Sequence, residues 1–260
     1  MSETNQFPQR EKSDRKKEDD NNLVFSYLTL RNFIGICGIL LPIVLFFTTG
    51  KSENDRIIEP SISDYYYSSN GDILVVLLSV LGVFLFTYKG YKWQEKALTT
   101  TAAICGIGIA FSPTATQKAN SLSIHISRDA VPTIFGIERH FIFAVLFFIA
   151  LGIISLKYFP KTDDKSLLKK ANDLNTQKAK RNLVYKICGW TIISCVILLG
   201  IYFIARPIQA LKNVPVVFIL ETIAIWAFGI SWLTKGETLL PDGEHYIKRA
   251  YREARSKLKV

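Results

Sequence analysis

Six residues of this 260-residue chain carry heads that can hold a ligand or move a proton: Asp64, Tyr65, Arg139, His140, Glu221 and Trp232. Glu221 sets the problem. It lies seven residues into Val214–Lys235, a run apolar enough to cross a bilayer, which needs about 20 residues at 1.5 Å each. A carboxylate there costs about 3 kcal/mol unless it is paired, protonated or near water, so it is expected to face other helices. His140 and Arg139 stand at the entrance of another apolar run, and Arg139 or Arg206 can neutralise Glu221. Asp64 and Tyr65 precede a third run, and Tyr65–Tyr67 suit either a ligand rim or an interfacial aromatic belt. Trp232, about three turns deeper than Glu221, is expected to be a floor or a packing residue.

Composition places these groups in a membrane. The chain is 49% hydrophobic yet 21% charged, and the two are segregated into alternating apolar runs and charged blocks. That pattern describes a polytopic membrane protein rather than a basic soluble domain. The net charge of +10 therefore points to membrane surfaces and not to nucleic acid. The spacing predicts an all-α bundle of six transmembrane helices at about 32–49, 73–88, 97–111, 139–158, 183–205 and 214–235. Residues 1–22 read as a disordered cytoplasmic tail, residues 23–236 as the membrane domain, and residues 237–260 as a basic amphipathic helix on the membrane surface. Pro42 predicts a kink, and Gly35 and Gly38 a flat face for close packing. Asp72 is the expected N-cap of the second span, and Gly236 the expected residue after the last helix.

Orientation follows from the cations. With the amino terminus inside, only Lys51, Arg56, Lys118, Arg128, Arg139, Arg206 and Lys212 of the 32 basic residues fall outside. Both termini are then cytoplasmic, in an inner (plasma) membrane, and anionic lipids are the expected partners of the inner face. A protein partner or a second copy of the chain is a further possibility. Of the two long outer loops, SLSIHISRD (121–129) alternates polar and apolar residues strictly and RIIEPSISD (56–64) more weakly, and the two are expected to meet as a small cap with short strands. Cys37, Cys105, Cys188 and Cys195 all fall in apolar runs and read as small hydrophobes.

The segments YLTLRNFIGICGILLP, SISDYYYSSNGDILVVLLSVLGVFLFTYKGY, HFIFAVLFF, YKICGW and ETIAIWAFGISWLTKG together resemble a group of bacterial six-helix membrane proteins, and more distantly the DRAM-like architecture. The resemblance implies the helix count and draws attention to Arg31, Asp64, Tyr65, His140, Glu221 and Trp232. It brings no reaction or ligand.

The expected function is a non-enzymatic module that binds a lipid or small molecule, senses, or scaffolds, through an outward-facing polar pocket. No cofactor is expected. A proton-coupled carrier titrating Glu221 is the alternative. A metal-dependent hydrolase using His125, His140, Asp64 and Glu221 is a third reading, weakened by the lack of a His-x-x-x-His pair and by His245 lying on the opposite side.

Overall fold

The computed structural model describes residues 7–48, 58–68, 71–88, 90, 92–112, 114, 133–134, 137–160, 177–205 and 214–240. These are mostly helical. Helix α1 spans Phe7–Thr48, α2 Gly71–Thr87, α3 Trp93–Ala110, α4 Arg139–Ile153, α5 Gln177–Ala205 and α6 Val216–Lys235. By length and composition, four segments suffice to cross a membrane: Tyr27–Thr48, Arg139–Tyr158, Gln177–Ile204 and Val216–Lys235. Helix α2 is equally apolar but shorter, with 17 residues. Helix α3 is rich in Thr, Ala and Gly.

Several boundaries differ from expectation. Helix begins at Phe7, where a disordered tail is expected; the tail is polar, but Gln, Arg, Glu and Lys are strong helix formers, and the tail leads directly into an apolar helix. Helix α3 starts at Trp93, inside the basic loop. Asp72 lies in the first turn of α2 rather than at its cap, where its charge still complements the helix dipole. Pro215 stands one residue ahead of α6.

Glycines set the close approaches. Gly35 of α1 faces Gly229 of α6, and a Cβ on Gly35 would come within 2.9 Å of the Gly229 carbonyl. Gly82 of α2 is closed off by Ala103 and Ile107 of α3, and Gly189 of α5 by Leu156 and the Gly152 carbonyl. Small residues at these points let backbones meet where no hydrophobic effect drives helices together. Pro42 sits inside α1 without ending it. The missing N–H frees the Gly38 carbonyl, and one residue on, the Trp226 indole donates to the Ile39 carbonyl at 3.2 Å. After Ile153, α4 widens into a π-helix over Ile154–Tyr158. There Ser155 bonds both the Tyr185 carbonyl (2.9 Å) and the Ser231 hydroxyl (2.7 Å), tying three helices at a buried point. Outward faces are apolar: Phe47, Phe86, Ile187, Ile201 and Ile204 are all exposed, a surface suited to lipid and not to water.

The end of α6 holds a surprise. Gly236 is not left-handed; Glu237 is, with φ 60°. The Glu237 amide donates to the Thr234 carbonyl (3.3 Å) and the Thr238 amide to the Leu233 carbonyl (3.0 Å), which is a Schellman motif shifted one residue past the glycine. Gly236 is needed for space instead: Asn32 donates to its carbonyl at 3.1 Å, and a Cβ at Gly236 would overlap the Asn32 amide.

The expected paired strands between the two long loops do not form in the described part of the first. Residues 63–67 of that loop form a 3-10 turn, Ser63–Tyr67. The two-residue strands β1 (Thr133–Ile134) and β2 (Ile137–Glu138) instead make a local antiparallel hairpin just before α4. Residues 121–129 and all but the first four residues of the segment 237–260 lie outside the described residues, as do His125, Arg206 and His245.

Candidate functional site

The bundle has two polar ends, and the expected residues divide between them. At the loop end, residues 58–68 lie across the starts of α4 and α6 and the end of α3. The Glu221 carboxylate of α6 accepts the Ile62 amide at 2.8 Å. The Pro60 carbonyl accepts the Phe218 amide at 3.0 Å, satisfying one of the first-turn donors that α6 cannot satisfy itself. His140 of α4 lies 2.7 Å from the Ser63 hydroxyl through Nε2 and 2.7 Å from the Ser112 carbonyl through Nδ1. Tyr67 donates to the Thr114 carbonyl.

The tautomer of His140 follows from its partners. A carbonyl oxygen can only accept, so Nδ1 carries the proton and Nε2 holds the lone pair. Ser63 therefore donates its hydroxyl hydrogen to Nε2. The Ser112 carbonyl is free to accept because it lies just past α3, where the last carbonyls lack intrahelical donors.

Beneath this loop is a cavity of about 40 Å³, whose walls are Ile62, Ser63, Leu74, Leu78, Ile109, His140, Ala144, Phe147, Phe148, Glu221 and Ile225. At 10–15 Å³ each this is room for about three waters, or for the end of a short chain, and not for a whole lipid. Its rim is polar, from Ser63, His140 and Glu221, and its wall is apolar.

Two of the six expected residues, His140 and Glu221, thus line the cavity. Asp64 does not: it accepts the Ser61 hydroxyl at 2.8 Å and shapes the loop. Tyr65 is buried with its ring 5.8 Å from that of Phe218, so it anchors the loop and is not a belt residue at the interface. Burial pushes the Tyr65 hydroxyl above its ordinary pKa. Burial likewise pushes Tyr67 up to about 12, helped by Tyr66, Asp64 and Glu138. Arg139 makes no contact with Glu221 among the described residues, and its Nε is buried without a hydrogen bond there.

Trp232 belongs to the opposite end. It is buried with its ring 4.9 Å from Tyr88, 5.3 Å from Phe159 and 5.9 Å from Phe228. Around it is a second polar constellation. The Tyr88 hydroxyl donates to Glu95 at 2.9 Å and accepts from Arg31 at 3.5 Å. Arg31 also covers the Tyr27 and Tyr88 rings, at 5.5 and 5.6 Å. Lys235 donates to the Phe159 carbonyl at 3.3 Å and lies over the Phe159 and Tyr185 rings. Arg31 and Glu95 are both buried. Of this group only Arg31 and Trp232 stand out from the sequence. The signal for the rest is Glu95, a single carboxylate two residues past Trp93 in a basic loop.

Cys105, Cys188 and Cys195 are buried and Cys37 half-buried, all as free thiols. Among the described residues no three His, Cys, Asp or Glu side chains converge to hold a metal. No protein-family model, curated protein or solved structure matches the chain, so each residue's role rests on the geometry above.

Proposed function

We propose that the chain crosses an inner membrane six times with both termini in the cytoplasm, and that its loop end is an outward-facing site for an amphiphile. The single observation that carries this is the cavity under residues 58–68, apolar in its wall and polar at its rim. A small polar head would meet Ser63, His140 and Glu221 while the first carbons of a chain enter between Leu74, Leu78, Phe147 and Phe148. The cation bias of the loops supports the sidedness, and the exposed apolar faces support residence in lipid. Helices α2 and α3, below the length or hydropathy of the other four, would span packed against each other and their neighbours. Anionic lipids are the partners proposed for the cytoplasmic face.

The test is thermal unfolding in nanodiscs with and without a monoalkyl glycerol ether. The wild type is expected to be stabilised, and Ala144→Phe, which fills the cavity, is expected not to respond. Equal stabilisation of both would place binding elsewhere.

A proton-coupled carrier is the second reading. It is favoured by Glu221 being a cavity-lining carboxylate that holds a backbone amide rather than a cation. Proton-dependent flux in liposomes should then vanish in Glu221→Gln; unchanged flux would rule the reading out.

A further inference from the structure

The geometry points to an acyl-ester hydrolysing centre in which Ser63 is the nucleophile and His140 the general base. Three features combine. The Ser63 hydroxyl and His140 Nε2 are 2.7 Å apart, within reach for proton transfer. The Ser112 carbonyl, 2.7 Å from Nδ1, holds the imidazole in the one tautomer that can accept the serine proton. Both side chains line a cavity whose remaining wall is largely apolar. A nucleophile, a base within hydrogen-bond reach and a third group orienting the base form the arrangement that activates a serine. A carbonyl serves as orienter because the need is for an acceptor at Nδ1, which a carboxylate supplies in the familiar triad.

The substrate class follows from the cavity. About 40 Å³ admits a few carbons of an acyl chain beside Ser63, with the alcohol part left at the polar rim. Ser63 Oγ attacks the ester carbonyl carbon while its proton passes to His140 Nε2. The tetrahedral adduct collapses, the bond to the alcohol oxygen breaks, and that oxygen takes the proton from Nε2. Water then attacks the acyl-serine, giving its proton to Nε2. The serine oxygen leaves and recovers that proton, releasing the carboxylic acid. The sum is ester plus water to acid plus alcohol, with no oxidant or metal required.

This inference rests on the amphiphile-binding reading of the same site, and one experiment separates them. The full-length protein in nanodiscs is treated with an alkyl fluorophosphonate, the adduct is mapped by mass spectrometry, and hydrolysis of p-nitrophenyl butyrate is followed in parallel. The expected result is a single adduct on Ser63 in the wild type. It should be absent in Ser63→Ala and form at least about 100-fold more slowly in His140→Gln, the scale of a lost general base. Ester hydrolysis should fall in step. A cooperative thermal unfolding transition of Ser63→Ala in nanodiscs without the ether would show that the variant is folded. An adduct on another serine, or equal rates in wild type and His140→Gln, would overturn the inference. Stabilisation of the wild type by the ether with no Ser63 adduct would overturn the chemistry and leave binding standing. Loss of both would overturn both.

Discussion

The two polar ends of the bundle use similar residues in opposite ways. At the cluster end, Arg31, Tyr88, Glu95 and Lys235 are woven between rings, and the Arg31–Tyr88, Tyr88–Glu95 and Lys235–Phe159 bonds each join one helix or helix terminus to another. At the loop end, Glu221 accepts the backbone amide of Ile62 and His140 accepts the Ser63 hydroxyl, both from residues 58–68, while His140 also donates to the Ser112 carbonyl past α3. Charged side chains bonded across helices hold a bundle. Polar groups that bond to a loop hold something that can be lifted, and here a cavity lies underneath. The first arrangement suits architecture and the second suits a site.

The largest difference is expected on removing the carboxylates. Glu95→Ala leaves Tyr88 and the nearby cations without their anion, and breaking a buried charged set costs about 3–5 kcal/mol. Unfolding of the purified protein by titrated denaturing detergent should show it. Glu221→Gln keeps an oxygen for the Ile62 amide, so the same measurement should register about 1 kcal/mol or less. A reversal of that order would mean that the loop end, not the cluster end, holds the bundle together.

A gain is expected beside the cluster. Glu237 occupies a left-handed conformation that only glycine adopts without penalty, so Glu237→Gly should stabilise by about 1 kcal/mol. The neighbouring Gly236→Ala should destabilise, because space and not conformation is what that glycine provides.

The smallest effect expected is one of pH at the loop end. Tyr67 is pushed up to about 12 by burial. The folded state thus favours the neutral hydroxyl. Its contribution is fully present below the ordinary tyrosine value near 10 and is lost as pH rises through about 12. Amide exchange at residues 62–67 should quicken across that interval while residues 231–236 keep their protection. Equal loosening at both ends would remove the distinction.

Much of this was legible in the residues, for reasons that differ by element. Apolar runs of spanning length declare themselves, so α4, α5 and α6 fall close to expectation. Glu221 and His140 are conspicuous because polar heads inside apolar runs are costly. Ser63 is not: it sits in SISDYYYSSNG among three other serines, and only the fold brings His140 from 77 residues away. Trp232 is expected as a floor or a packing residue, and the three helical turns between it and Glu221 make it a packing residue at the other end of the bundle. The left-handed Glu237 breaks a glycine preference because the glycine beside it is held by Asn32, a contact across 204 residues.

Sidedness and access can be read together. With the four native cysteines replaced, Ser63→Cys and Lys92→Cys are treated in intact cells with a membrane-impermeant maleimide. Labelling of Ser63→Cys from outside, and of Lys92→Cys only after lysis, is the predicted result. Labelling of Lys92→Cys in intact cells, or a Ser63→Cys that reacts only once the membrane is broken, would contradict an outward-facing site on a bundle locked at its inner end.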